Sequence, residues 1–82
     1  MKNPALNTAI LTILARVGCG LREETLRSET EIAVNDPCLP SFDFREAVGY
    51  LEDRGYVRQW VNAVGYRTWG VTDAGRAALK GL

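Results

Sequence analysis

The sequence predicts a mainly helical α+β fold, with three helices, a two-stranded hairpin and a short C-terminal helix built as a single domain over residues 1–82. Three observations carry this. Phe44, Ala47, Val48 and Leu51 recur at i, i+3, i+4 and i+7, which is one apolar stripe of a helix. From Tyr56 the spacing changes to alternation, and Val57, Val61, Trp69 and Val71 fall on one face of two short strands. Between the two patterns stands Gly55, where a left-handed residue closes a helix and lets Tyr56 fold back over Leu51.

Taken in order, Asn3-Pro4 reads as an N-cap followed by proline at the first helical position, where its missing N–H costs nothing. Leu6, Ile10, Ile13, Leu14 and Val17 form the core-facing stripe of the first helix, which Gly18 stops. Ala5, Ala9, Leu11 and Ala15 make the opposite side apolar too, whereas a surface helix shows a polar back. Either this helix is central to the domain, or a homodimer forms through it with Leu11 as a partner-contacting residue. Cys19-Gly20-Leu21 reads as a turn, and a second helix follows over residues 22–33, with Glu23 and Glu24 suited to its N-terminus. Thr25, Leu26, Glu29 and Ile32/Ala33 give it a narrow packing edge. Residues 31–34 either finish that helix or form a short third strand beside the hairpin. Asn35-Asp36-Pro37 ends the segment, and Cys38-Leu39-Pro40 connects to the third helix.

The third helix opens on a capping box, with Asp43 as cap and Glu46 reaching back. In the hairpin, pairing Val57 with Val71 sets Gln59 opposite Trp69 and leaves Ala63-Val64-Gly65 as a three-residue loop. A slip of one residue would turn Trp69 and Val71 out to solvent. Thr72 then caps the last helix, with Asp73 in its first turn.

Composition narrows the function classes. The chain has no histidine, no CxxC spacing, no glycine-rich phosphate loop after a strand and no nucleophile–base motif, so no catalyst, metal site or cofactor is expected. Cys19 and Cys38 read as two reduced thiols, with a disulfide as the alternative. No apolar run reaches bilayer length and no signal-peptide layout is present, which predicts a cytoplasmic protein without membrane contact.

The segment YLEDRGYVRQ leading into RTWGVTDAGRAAL resembles the winged helix-turn-helix domains, in particular the MarR- and PadR-type bacterial regulators. Their recognition helix ends in a similar Leu-x-x-x-Gly-Tyr/Leu-Val run, and their second wing strand in aromatic-x-aliphatic-Thr-x-x-Gly-Arg. The resemblance covers the chain by pattern and is specific over residues 51–79. It implies a winged helix, a DNA-binding transcriptional regulator, a third helix that reads double-stranded DNA and a wing tip over residues 62–67. Winged helices also serve as protein-docking modules.

Charge divides the chain. Residues 21–54 carry four arginines against nine acids, a net of −5, and residues 55–82 carry four cations against Asp73, a net of +3. Duplex binding draws most of its affinity from neutralised phosphates, so the third helix is poorly charged for a groove. Its Arg45 nevertheless stands in the first turn, where reading helices meet base edges. Glu46 occupies a position where the resembling family often presents a basic or hydroxyl residue. In the hairpin register Arg58, Trp60, Tyr66 and Thr68 share the face turned from the helices, with Arg67 nearby. Two readings follow. In the first, Arg45, Arg58, Arg67 and Tyr66 contact duplex DNA. In the second, the chain docks a protein through the Trp60/Tyr66 face, whose composition is that of an interface hot spot, or through the acidic face of the second and third helices.

Overall fold

The computed structural model describes residues 4–81, which form α1 (Pro4–Val17), β1 (Leu21–Arg22), α2 (Glu23–Ala33), α3 (Ser41–Asp53), β2 (Val57–Val61), β3 (Arg67–Val71) and α4 (Asp73–Lys80). The class is α+β and mainly helical, with one antiparallel sheet in the order β1-β3-β2. The Asn3 cap lies outside the described residues. No helix among them is long and apolar enough to cross a membrane.

Helix α1 is the hub, because α2, α3, β3 and α4 all pack against it. Leu6, Ile10, Ile13 and Leu14 join Leu26, Leu39, Phe44, Val48, Leu51, Val57 and Trp69 in one buried cluster. Leu11 belongs to that same cluster at 4% exposure, which corrects its assignment to a dimer contact. Of the apolar back of the helix, the chain itself buries Leu11, while Ala9 and Ala15 are half-buried and Ala5 is exposed. Val17, expected in the core, is exposed where α1 ends.

The third strand exists, but at Leu21–Arg22 and not at residues 31–34. It pairs Leu21 with Trp69 and Arg22 with Thr68, so β3 lies in the middle of the sheet and buries Thr68, Trp69 and Gly70. Gly20 turns the chain into this strand with φ +89°, and Arg22 stays extended as the N-cap of α2. Residues 31–33 remain helical, and Asn35 at φ +57° closes the turn after them. The buried edge of α2 is Leu26 and Thr30, whose hydroxyl donates to the Leu26 carbonyl at 2.7 Å. Ile32, six residues on from Leu26 and so about 120° around the helix, is 75% exposed.

Helix α3 begins at Ser41, two residues before the expected cap. Pro40 is its extended N-cap, no side chain caps it, and the capping box of Asp43 and Glu46 does not form. Arg27 fixes this entry instead, donating to Ser41 Oγ at 2.7 Å and to the Leu39 carbonyl at 2.9 Å. The other end closes as anticipated. Gly55 takes φ +77°, its N–H donates to the Glu52 carbonyl, and the Tyr56 N–H donates to the Leu51 carbonyl.

The hairpin keeps the register read from the sequence, Val57 with Val71 and Gln59 with Trp69. Its loop closes through Asn62, whose N–H donates to the Tyr66 carbonyl and whose Oδ1 accepts from the N–H groups of Val64 and Tyr66. Gly65 holds φ +90°. Val57 and Trp69 are buried, but Val61 is 66% exposed because the hairpin runs out past the helices.

Thr72 caps α4, accepting from Gly75 N–H at 3.1 Å and donating to the Gly55 carbonyl at 2.6 Å. A Cβ on Gly75 would collide with the Tyr56 carbonyl oxygen. Arg76 donates to the Ala15 carbonyl at 3.3 Å. The Thr-x-x-Gly-Arg segment is thus a clasp that holds α4 against the hairpin root and α1.

Candidate nucleic-acid interface

The acids of the −5 segment are partly spoken for. Glu29 lies 3.9 Å from Arg16 and Glu31 lies 3.7 Å from Arg27. Glu23 accepts from the buried Trp69 indole N–H at 3.0 Å, which ties the start of α2 to the middle of the sheet. Glu52 turns toward the hairpin and accepts from Gln59 Nε2 at 3.2 and 3.1 Å. Asp43 and Asp53 remain exposed on α3, and Glu46 is half-buried.

Arg45 is exposed in the first half of α3 and borders a shallow cleft of about 130 Å³ with Glu23, Glu24, Arg27, Ser41 and Phe44. Beside it Phe42 is 71% exposed, a residue the periodicity did not single out. The two acids across the cleft set an opposing field around the guanidinium.

The sheet is where cations gather. Between Arg54 and Thr72 the chain carries Arg54, Arg58 and Arg67 and no acid. Strand β1 then delivers Arg22 opposite Thr68, one strand away from Trp60. The Arg22 guanidinium lies over the Tyr66 ring, 4.6 Å from its centroid, and that of Arg58 over the Trp60 ring at 4.8 Å. Trp60 does not lean toward Tyr66, as a diagonal aromatic pair would. Its benzo edge reaches across β3 the other way, to Gly70 and Gly20, where a Cβ on either glycine would come within 2.8–2.9 Å of the ring. Trp60 is therefore half-buried on its own sheet. Arg67 is exposed opposite Val61, on the alternate face of the strand from Thr68, and borders a second small cleft with Arg22, Tyr66 and the acids Glu23 and Glu24.

Of the residues picked out from the sequence, the structure brings Arg58 to Trp60 and sets Tyr66 and Arg67 at one cleft. It leaves Arg45 apart on α3, and Leu11 inside the core. Arg22 was missed. Two residues of strand before an acidic helix start carry no periodicity, and their sequence segment counts as negative.

Elsewhere, Pro4, Ala5, Thr8, Ala9 and Thr12 of α1 border, with Ile32 of α2, a groove of about 760 Å³. Cys19 and Cys38 are free and exposed. No group of three or more metal-ligating side chains occurs among the described residues. Compared with protein-family models, curated proteins and solved structures, the chain shows no match.

Proposed function

We propose that the chain is a small winged-helix DNA-binding protein, a transcriptional regulator that grips duplex DNA mainly through its hairpin as the wing. The observation that carries this reading is the acid-free run from Arg54 to Thr72, folded as β2 and β3 and joined there by Arg22. Cations on one sheet suit phosphate contact, while Asp43 and Asp53 keep most of α3 from the groove. Arg45 is left as the single candidate on α3 for a base edge.

Fluorescence anisotropy on labelled duplexes tests this. Arg67→Ala weakens binding on every sequence alike, whereas Arg45→Ala relaxes preference at one base position. An Arg67→Ala protein that binds like wild type removes the wing from the interface. Glu46→Gln with Glu52→Gln tightens binding if α3 approaches phosphates. No change in that pair, with Arg67→Ala still weakened, means that α3 stays out of the groove.

One observation favours a second reading, a protein-docking module: Val61 and Val64 leave the hairpin tip apolar and exposed. In that case no duplex binds at low salt, and a protein partner is lost on Val64→Asp. Self-association through α1, if it occurs, uses the Ala5, Thr8, Ala9 and Thr12 flank with Ile32, not Leu11.

A further inference from the structure

Two arginines on the sheet are held in place before any ligand arrives, and both are held by aromatic rings. Arg58 lies over Trp60 and Arg22 over Tyr66. The guanidinium is planar, with its N–H groups in a rigid fork, and each of the two lies within cation–π range of its ring, 4.6 Å for Arg22 and 4.8 Å for Arg58. That fork matches two oxygens of a phosphate, and the ring contact limits the rotamer freedom lost when it binds. The ring under Arg58 is itself seated by backbone. Gly20 and Gly70 lack the Cβ atoms that would lift Trp60 off the sheet. Building from the proposed duplex-binding reading, on which this rests, we infer that Arg22 and Arg58 form a pair of preset phosphate clamps, with Trp60, Tyr66, Gly20 and Gly70 as positioning residues.

The same geometry says what the site does not read. Trp60 has a guanidinium over its ring and glycine backbone against its edge, so an unpaired base finds no open platform there. Neither arginine is on α3, the element that would enter a major groove. The sheet therefore recognises the nucleic-acid backbone irrespective of sequence, and any base preference comes from Arg45.

The test compares arginine with lysine, which keeps the charge but loses the planar fork. Anisotropy titrations use the full chain and two short labelled duplexes of unrelated sequence. Arg58→Lys and Arg22→Lys each weaken binding about three- to tenfold, nearly as much as the alanine variants, and equally on both duplexes. Gly70→Ala, which displaces Trp60, weakens binding as Arg58→Lys does. Trp60→Leu gives the same loss by a route that adds no bulk to the strand, and circular dichroism confirms retained helix in each variant. Lysine variants that bind like wild type, or a loss confined to one duplex, overturn the inference while leaving duplex binding intact. A wild-type chain that binds neither duplex overturns the functional reading beneath it as well.

Discussion

Replacing Gly75 by alanine sets a methyl group against the Tyr56 carbonyl oxygen and within 2.7 Å of Val71 Cγ2. Neither neighbour can step aside cheaply. The Tyr56 carbonyl accepts from Thr72 N–H at 3.0 Å, and Tyr56 itself follows the Gly55 turn that closes α3. The first turn of α4 must retreat, which strains or breaks the Thr72 cap. Overpacking of this kind costs about 1–3 kcal/mol, and loss of a threonine cap about 1 kcal/mol more. Together they remove about 2–4 kcal/mol, a large share of the stability of so small a chain. Urea unfolding followed by circular dichroism should show a midpoint lower by about 2–4 M, given a slope of about 1 kcal/mol/M. Gly49→Ala is the paired control. Gly49 lies inside α3 with nothing within 4 Å of the added Cβ, so that substitution should stabilise by about 0.5–1 kcal/mol. An unchanged midpoint for Gly75→Ala would refute the clasp between α4 and the hairpin root.

Other expectations follow from single contacts. Gly65→Val forces a β-branched residue to φ +90° and should destabilise the chain by about 1–2 kcal/mol, with amide exchange rising first in β2 and β3. Leu11→Glu buries a carboxylate in the core, so it should unfold the chain and not yield a folded monomer; a cooperative thermal transition near that of wild type would contradict this. Glu23→Ala strands the Trp69 indole N–H in a buried site and should cost about 1–3 kcal/mol, with an altered Trp69 emission as the spectroscopic check. Ile32→Glu should leave the fold intact, and sedimentation of that variant reports whether the α1–α2 groove supports self-association.

The parts of the fold legible in the sequence are those where the period is long or the turn chemistry is specific. The stripe of α3 and the hairpin register are such cases, because slipping either would expose Phe44 or Trp69. Gly55, Gly65 and Thr72 behave as their chemistry requires. What failed rested on short or polar signals. The cap of α3 was set by Arg27, fourteen residues away, and not by the local Asp43. Strand β1 is two residues long and exists only because β3 offers a free edge. Leu11 was ambiguous because periodicity shows that a face is apolar, not what covers it. For the candidate interface, Arg58 and Arg67 could be read from strand alternation. Arg22 became visible only once the sheet brought it to Tyr66.

The claim that the hairpin grips duplex DNA through a few cations is tested most directly by the salt dependence of wild-type binding. With Arg22, Arg58 and Arg67 as the main phosphate contacts and Arg45 contributing separately from α3, few counterions are displaced. The log–log slope of affinity against salt should be about −2 to −4 per chain, and Arg67→Ala should flatten it by about one. No duplex binding at low salt, or a slope unchanged by Arg67→Ala, would contradict the account.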